Sequence, residues 1–452
     1  MKGLNSLDGI EISETKEDLI CYSYDSSYAE GVLPELVAWP QTSDEISRVV
    51  RWATNKGFKI IPRGAGTGMV GGAIPICQRS IVISLEKMRE VYEINSKNFT
   101  TTVGAGVING ELQKELQIYG LFYPPDPASM DYCTIGGNVS TNGGGPRAIK
   151  YGVTRNYVME IEVILPDGSV VTFGGKTVKR VVGYELKELF IGAEGTLGII
   201  SRVTLKVLPE PEEVITLLIN FGDLSKAGEF IPKVMELGII PRTLEFLDDL
   251  CIEIIETHNA LGLRKESVAM LLVELDGERN SIKRQGEIIV EMARKFKGET
   301  QIATDFYSRE NLWKARRNIS PCILKMKDKE KINIDIAVPI DTLAKTLISL
   351  KEISEKYKIP IVSFGHAGDG NIHVNILIDK NDQESKKMGW NVAKKIFELT
   401  VSLNGAISGE HGIGITKKPY IEMQIPQKSI KLMKAVKKVF DPKEVMNPGK
   451  IF

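Results

Sequence analysis

The chain has 452 residues with 58 basic and 58 acidic side chains, so its formal net charge is zero. Hydrophobic residues make up 42% and charged residues 26%, a composition typical of a globular protein and not of a disordered or fibrous one. The balanced charge gives no electrostatic reason to expect nucleic-acid binding, and no uncharged apolar stretch approaches the roughly 18 residues of a spanning helix.

The first 208 residues predict an α+β domain that is rich in glycine turns. Short strand patterns such as 58–61 alternate with helical patterns such as 43–56, where Ser43 is the predicted N-cap. Glycine clusters lie at residues 64–72, 104–110, 136–145 and 192–198.

The segment 208–213, Leu-Pro-Glu-Pro-Glu-Glu, indicates a domain boundary. Two prolines and three acids in six residues cannot continue a helix or a central strand. Strands and longer helices alternate after it, which predicts a second domain of α/β or α+β type over residues 209–416. Residues 417–452 form a charged, helical tail.

The five cysteines, Cys21, Cys77, Cys133, Cys251 and Cys322, form no C-x-x-C pair. Their odd number and wide spacing disfavour a disulfide framework, a zinc ribbon and an iron–sulfur cluster held by this chain. The N-terminus lacks an apolar core of signal-peptide length. We therefore expect a cytoplasmic protein and leave open peripheral attachment to a membrane through a partner.

The first glycine cluster contains G-x-G-x-x-G at residues 66–71, directly after a strand pattern. A dinucleotide-binding helix would have to begin there, and Pro75 would interrupt it in its first turns. Backbone N–H groups in glycine turns can instead form an anion-binding nest, and Arg63 adds positive charge. One such cluster indicates only a tight turn, but four within 200 residues favour a phosphate-bearing cofactor.

Three of the four histidines lie in two short motifs, Gly-His-Ala-Gly-Asp-Gly-Asn-Ile-His and Gly-Glu-His-Gly-Ile-Gly. A glycine loop can bring His366 and His373 onto one centre, and Glu410 supplies a carboxylate from the second motif. Two imidazoles, one carboxylate and an open position suit Zn²⁺ and are compatible with Mn²⁺ or Fe²⁺.

The other two histidines receive different interpretations. His411 follows Glu410 and is left as a general base, since the ordinary pKa of imidazole lies near neutral pH. His258 is isolated at a predicted helix end, and we interpret it as structural or exposed.

The glycine motifs, together with Tyr151-Gly152, resemble the FAD-binding signature of the vanillyl-alcohol-oxidase/PCMH flavoprotein superfamily. The similarity extends over nearly the whole chain to the FAD-linked D-2-hydroxyacid dehydrogenases, which include D-lactate dehydrogenase, the glycolate oxidase FAD subunit and D-2-hydroxyglutarate dehydrogenase. The resemblance implies a PCMH-type FAD-binding domain over residues 1–208, an α/β substrate- and metal-binding domain over 209–416, and a tail, 417–452, that returns to the FAD domain.

The resemblance also implies noncovalent FAD, because the first domain contains no histidine and neither Cys77 nor Cys133 lies at an expected attachment point. The residues that it places along the cofactor are Arg63, Gly64, Ala65, Gly66, Thr67, Gly68, Met69, Gly71, Gly72, Pro127, Ser129, Gly136, Gly137, Ser140, Thr141, Gly143, Glu194, Gly195, Ile200 and Asn447.

The activity implied by the resemblance is oxidation of a 2-hydroxyacid. His411 would take the hydroxyl proton while a hydride leaves to flavin N5, and the metal would bind the hydroxyl and the carboxylate. Arg316 matches the arginine that holds the substrate carboxylate. Asn333 stands where relatives with dicarboxylic substrates carry lysine, which favours D-lactate or glycolate over D-2-hydroxyglutarate.

Several alternatives stay open at this point. The electron acceptor is a quinone, a cytochrome, a separate iron–sulfur subunit or O₂, and the chain is a monomer or a homodimer. Besides D-2-hydroxyglutarate dehydrogenase, the rival functions are an alkyl-glycerone-phosphate synthase-like flavoenzyme, for which the His/Glu set is not expected, and an FAD-binding subunit without turnover.

Overall fold

The computed structural model describes residues 7–264 and 266–452, and the chain passes between two folding units. One unit consists of the described residues up to Gly144, Val153–Glu210 and Glu410–Phe452. The other consists of Gly145–Gly152 and Pro211–Gly409. The C-terminal segment from Glu410 therefore belongs to the same unit as the glycine-rich N-terminal part.

The first unit is built on two larger sheets. Its strands are β1 (Glu11–Ser13), β2 (Leu36–Trp39), β3 (Lys59–Arg63), β4 (Ser80–Ser84), β5 (Val91–Asn95), β6 (Thr100–Gly104), β7 (Leu121–Phe122), β8 (Val158–Ile164), β9 (Val170–Gly174), β10 (Ile199–Lys206) and β11 (Leu208–Pro209). One sheet has the order β1-β2-β4-β3 with parallel pairing of β4 to both neighbours, and the other is antiparallel with the order β5-β6-β10-β8-β9. Strands β7 and β11 pair separately.

The helices of the N-terminal part are short apart from one. They are α1 (Lys16–Cys21), α2 (Ser43–Lys56), α3 (Asn109–Gln117), α4 (Ile135–Thr141), α5 (Ala148–Tyr151) and α6 (Lys187–Phe190), of which α5 belongs to the second unit. In that unit the Tyr151 hydroxyl donates to Asp276 at 2.7 Å.

Helix α2 has the predicted bounds, but its N-cap was wrongly predicted by one residue. The Thr42 side chain accepts from the backbone N–H of Glu45, and Gly57 ends the helix with a φ of +72°. Ser43 instead donates to the Glu162 carboxylate across the unit. The residues that α2 buries against the parallel sheet include Ile46, Val49, Val50 and Ala53.

The second unit contains one antiparallel sheet with helices between its strands. The strands are β12 (Glu213–Phe221), β13 (Thr243–Asp248), β14 (Ala269–Gly277), β15 (Glu299–Ala303), β16 (Lys329–Ala337), β17 (Ile361–His366) and β18 (Asn371–Asp379), in the order β15-β12-β14-β13-β17-β18-β16. The helices are α7 (Leu224–Glu236), α8 (Asp249–Asn259), α9 (Arg279–Lys295), α10 (Phe306–Leu324), α11 (Leu343–Tyr357) and α12 (Gln383–Ser402).

One face of this sheet carries polar residues among apolar ones. Directly paired residues of antiparallel strands point to the same face, so His373 shares a face with its partners Phe364 and Asp335. Leu247 is paired with Phe364, and Glu245 lies two positions from Leu247, which adds the Glu245 carboxylate to that face. The apolar residues of this face pack against helices α8 and α10.

The C-terminal tail packs on the parallel sheet of the first unit. It contains α13 (Ile421–Gln424) and α14 (Gln427–Phe440), after which Asp441 accepts from the N–H groups of Val445 and Met446. The N–H of Ile60 in β3 donates to Val445, and the N–H of Asn447 donates to Ile60 at 2.7 Å. The tail thus continues the hydrogen bonding of β3 and contributes Met446 to the core.

Lys450 of this tail predicts a pH dependence of stability. Its side chain is 1% exposed and donates to the Ile74 carbonyl, and burial lowers its pKa to about 8 from the ordinary 10.5. The unfolded chain therefore binds this proton more tightly, so raising the pH from 8 towards 10.5 stabilises the folded state by up to about 3 kcal/mol. Denaturant unfolding at pH 7.5 and 10 measures this gain, and we expect Lys450→Met to remove it; an equal gain in that variant would contradict the assignment.

No helix in the described part of the chain has the length and apolar character needed to cross a bilayer.

Candidate functional site

Three of the four predicted glycine clusters, 64–72, 136–145 and 192–198, line a common cleft of about 1300 Å³, including its open mouth, and the cluster 104–110 does not contribute to its lining. The predicted cofactor residues that line it are Arg63, Gly64, Ala65, Gly66, Thr67, Gly68, Met69, Gly72, Pro127, Ser129, Gly136, Gly137, Ser140, Thr141, Gly143, Glu194, Gly195 and Ile200. Glu410 and His411 line the same cleft. Predicted site residues that lie up to about 350 positions apart in the sequence therefore line one cavity.

Glycine is required where the first loop meets its neighbours. Gly66 has a φ of +70°, and a Cβ there would lie 2.2 Å from the Arg63 guanidinium. A Cβ on Gly64 would lie 2.3 Å from the Thr134 hydroxyl, which caps α4 by accepting from the Gly137 N–H. The first glycine cluster thus contacts the residue that caps the helix of the third, and a side chain at position 64 would force the two segments apart.

Arg63 holds this loop from within. The residue is 8% exposed, and its Nη1 donates to the backbone carbonyls of Tyr24 at 2.8 Å and Ala73 at 3.4 Å. Its guanidinium also lies 5.3 Å from the centre of the Tyr22 ring. Burial lowers the pKa of Arg63. The sequence analysis predicted that Arg63 contributes positive charge to the cofactor site. The structure shows that its side chain also joins the two ends of the glycine loop.

Helix α4 supplies the base of the cleft. A Cβ on Gly136 would lie 2.6 Å from the Cβ of Ala105, so the helix packs closely against the strand pair behind it. Asn138, which the sequence analysis did not single out, lines the cleft and is 5% exposed. Its Nδ2 is a buried donor without a hydrogen-bond partner among the described residues. Such a donor fits a bound cofactor that presents an acceptor.

Glu194 fixes the segment that follows His411. Its carboxylate accepts from the N–H groups of Ile413 and Gly414, each at 2.8 Å, and a Cβ on Gly412 would lie 2.9 Å from it. Burial raises the pKa of Glu194, although these two hydrogen bonds oppose the shift. The predicted cofactor residue is therefore also the anchor of the turn that carries His411.

Two predicted cofactor residues, Gly71 and Asn447, are not among the residues that line the cleft. Asn447 lies behind it, where its Nδ2 donates to the carbonyls of Gly72 at 2.9 Å and Glu194 at 2.7 Å. Gly71 has a φ of +73° and faces Ile415. The C-terminal tail therefore packs against that side of the loop.

The second unit brings two of the predicted metal ligands together. His366 ends β17 and His373 lies in β18, and the hairpin between these strands places their ring centres 5.2 Å apart. A nitrogen of one ring lies within 4.8 Å of a nitrogen of the other. The residues are 4% and 7% exposed, so the pair is largely removed from water.

A buried carboxylate that sequence reasoning missed joins this pair to Arg316. Oε1 of Glu245 lies 2.5 Å from Nδ1 of His366, and Oε2 accepts from Nε of Arg316 at 2.5 Å. Burial acts to raise the pKa of Glu245, but the charges and hydrogen bonds of His366 and Arg316 outweigh it and lower the pKa. The available signal was an acid within the apolar run Leu-Glu-Phe-Leu at 244–247.

Glu410 directly follows a fixed residue of the second unit. The N–H of Gly409 donates to Asp335 at 2.8 Å, and Asp335 is the cross-strand partner of His373. Glu410 itself belongs to the first unit, where a Cβ on Gly144 would lie 3.0 Å from its carboxylate.

The remaining candidates of the second unit lie at different places. Asn333 in β16 is paired with Asn375 of β18, two positions along the strands from the Asp335–His373 pair. His258 lies half-buried in the last turn of α8, at the predicted helix end.

Known protein families match both parts of the chain. A family described as FAD binding domain matches residues 34–174, and one described as FAD linked oxidases, C-terminal domain, matches residues 210–451. The glycolate oxidase subunit GlcD of Bacillus subtilis is 38% identical over 436 residues, which cover 96% of this chain and 92% of that protein. The D-lactate dehydrogenase of Archaeoglobus fulgidus is 35% identical over 419 residues, covering 92% and 91% of the two chains.

Solved structures share the fold at low identity. 4-Ethylphenol oxidase from Gulosibacter chungangensis aligns with a TM-score of 0.79 at 17% identity, covering 97% of this chain and 94% of its own. An alkyldihydroxyacetonephosphate synthase aligns with a TM-score of 0.76 at 19% identity, covering 97% and 82%. These similarities establish the fold of the vanillyl-alcohol-oxidase/PCMH type. The fold alone does not identify the reaction, which depends on the side chains of the site.

Proposed function

The chain belongs to the family of FAD-linked oxidases, and we propose that it oxidises a small D-2-hydroxyacid, D-lactate or glycolate, to the 2-oxoacid. The observation that carries this proposal is the cluster of His366, His373 and Arg316 around Glu245 on one sheet face. A carboxylate-binding arginine beside paired imidazoles suits a substrate that carries a carboxylate and a hydroxyl on adjacent carbons. The names of the two relatives support the same substrate class.

The cleft of the first unit fits noncovalent FAD, which when bound supplies the acceptor for the hydride of the C2–H bond. The loop after β3 and the start of α4 present closely spaced glycines, so their backbone N–H groups would hold the pyrophosphate. The Asn138 amide adds a buried donor. These residues bind and orient the cofactor, and the Arg63 side chain keeps the loop in the required shape.

We propose that His366, His373 and Glu410 together hold a divalent ion, Zn²⁺ or Mn²⁺, with Fe²⁺ as an alternative. The two imidazoles already lie next to each other, with ring centres 5.2 Å apart, and Glu410 is the carboxylate that the sequence analysis assigns to the same ion. A divalent ion there would lower the pKa of a hydroxyl bound to it.

His411 takes the proton of the C2 hydroxyl in this proposal. It lines the cofactor cleft, and the Glu194 carboxylate holds the turn directly after it. A base held in this way keeps its position when the substrate binds. Arg316 meanwhile holds the substrate carboxylate through its terminal amino groups, which fixes the C2–H bond in one orientation.

Arg316→Lys is expected to raise KM for the hydroxyacid and to lower kcat/KM about 10- to 100-fold. Lysine cannot form the paired hydrogen bonds of a guanidinium, and a charge-assisted bond is worth about 1.5 to 3 kcal/mol. Steady-state kinetics with an artificial acceptor measures the change. The matched control is Arg317→Lys, since Arg317 is exposed and pairs with Glu310. Equal kcat/KM in wild type and Arg316→Lys would remove Arg316 from the substrate site.

The proposed function is tested most directly by anaerobic reduction of the purified flavoprotein. We expect D-lactate or glycolate to bleach the flavin absorbance, and D-2-hydroxyglutarate to react more slowly because Asn333 replaces the expected lysine. Bleaching only by D-2-hydroxyglutarate would move the substrate to the dicarboxylic class. A protein that binds FAD and is bleached by no 2-hydroxyacid would instead be a binding subunit or a synthase-like flavoenzyme.

The reduced protein must pass its electrons on. We propose a quinone, a cytochrome or a separate iron–sulfur subunit as the acceptor, because the relative named glycolate oxidase subunit GlcD is itself called a subunit. Such a partner would also account for a cytoplasmic protein at a membrane surface. Reoxidation rates with a soluble quinone, a cytochrome and O₂ separate these acceptors.

A further inference from the structure

We infer that Glu245 is a positioning residue that orients His366 and Arg316 at the same time, so that metal affinity and substrate-carboxylate binding depend on one buried side chain. The inference rests on the proposed function and deepens it. Glu245 lies in β13, the central strand of the seven-stranded sheet, and none of its side chain is exposed. Each of its oxygens is occupied by one of the two functional residues.

The bond to His366 selects the nitrogen that can coordinate an ion. An ionised carboxylate offers only acceptors, so Nδ1 of His366 must carry the hydrogen at 2.5 Å from Oε1. Nε2 is then the ring nitrogen that has a lone pair for a metal. A carboxylate behind a metal-binding histidine fixes the tautomer and the ring orientation in this way.

The bond to Arg316 orients the guanidinium for a ligand. Nε donates to Oε2, which leaves the two terminal amino groups as the paired donors for a substrate carboxylate. The guanidinium carbon also lies 4.7 Å from the centre of the Phe364 ring. One hydrogen bond and one ring contact together restrict the rotation of the fork, so less side-chain entropy is lost on binding.

A glutamine at position 245 cannot satisfy both neighbours. If its amide NH₂ faces His366, Nδ1 must become an acceptor and the hydrogen moves to Nε2, where it blocks coordination. If its NH₂ faces Arg316, two donors meet and the guanidinium loses its anchor. Either orientation disrupts one neighbour, and loss of the carboxylate charge weakens the hydrogen bond to the other, so Glu245→Gln tests the bridging role without changing the size of the side chain.

The experiment measures Zn²⁺ affinity of the FAD-loaded protein without substrate, by competition with a chromophoric chelator, and then KM for D-lactate. We expect Glu245→Gln to bind Zn²⁺ about 10- to 100-fold more weakly, as is usual when the partner of a metal-binding histidine is lost. We also expect KM to rise. Arg316→Lys should raise KM while its Zn²⁺ affinity stays that of wild type. This variant therefore separates the contact of Glu245 with Arg316 from its contact with His366.

The matched control is Glu274→Gln. Glu274 is also a buried acid of this sheet, but its carboxylate accepts from Thr216 and from Trp313 of α10 and lies 3.5 Å from Nε of Arg242. We expect its Zn²⁺ affinity to match wild type. Circular dichroism verifies that both variants fold, and if Glu245→Gln does not, Glu245→Asp, which keeps the charge but shortens the reach, should show a weaker loss of the same kind.

Unchanged Zn²⁺ affinity and KM in a folded position-245 variant would overturn the inference and leave the proposed function intact. A wild-type protein that binds no Zn²⁺ or Mn²⁺ would instead contradict the metal part of the proposed function. In that case an unchanged KM in Glu245→Gln overturns the inference as well. A raised KM supports only the part of the inference that concerns the orientation of Arg316.

Discussion

His411→Ala is expected to lower substrate-dependent flavin reduction by about 100- to 10,000-fold while FAD stays bound. A positioned general base contributes roughly 10²- to 10⁴-fold to such a step, and alanine offers no group that can take the C2 hydroxyl proton. His411 lines the cofactor cleft beside Glu410, whereas the glycine loops that would hold the cofactor lie in other segments. Stopped-flow reduction by D-lactate and the flavin absorbance of the purified variant measure both expectations.

His258→Ala is the matched control for this variant. His258 lies in the last turn of α8 in the second unit and lines no part of the cleft. We expect it to reduce its flavin at the wild-type rate. A wild-type rate in His411→Ala would assign the base to another residue, and loss of FAD from that variant would show that the side chain serves cofactor binding.

Removal of the divalent ion is expected to lower turnover about 100-fold or more, and added Zn²⁺ or Mn²⁺ to restore it. A bound cation that stabilises an ionising hydroxyl contributes several kcal/mol, and about 2.7 kcal/mol corresponds to 100-fold. Dialysis against a chelator, followed by metal titration and by activity at each step, tests this expectation. His373→Ala should not be restored at the metal concentrations that restore the chelated wild type.

The metal content of active protein gives the contradicting outcome. Less than about a tenth of an equivalent of any transition metal in fully active enzyme would refute the metal role. Asn375→Ala provides no clean control, because Asn375 lies two positions from His373 on the same face. Glu274→Gln is better suited, since its carboxylate is held by Trp313 and Thr216.

Much of the fold and of the site is readable in the sequence because the signals are local. The glycine clusters and the histidine motifs each have fewer than a dozen residues. Three of the four glycine clusters line the cleft, and the first histidine motif contains the adjacent pair His366 and His373. The boundary near residue 210 follows from two prolines that no helix or central strand accepts. Family resemblance rests on the same short motifs.

The prediction that Ser43 caps α2 failed for an equally local reason. Thr42 and Ser43 are both good N-caps, and the sequence does not decide between neighbours. The structure does, since Ser43 donates to Glu162 of β8 and Thr42 is left to cap the helix. A tertiary contact thus determines which of two neighbouring residues with similar N-cap propensity caps the helix.

The sequence by itself determined which residues are proposed to carry the chemistry: the glycine turns, the paired histidines, Glu410, His411 and Arg316. Tertiary structure alone decided what holds them. Arg63 closes its own loop, Glu194 anchors the turn after His411, and Glu245 joins His366 to Arg316. A hydrogen bond between residues 39 to 219 positions apart depends on the tertiary arrangement of the strands and loops, and no local pattern of side chains encodes this.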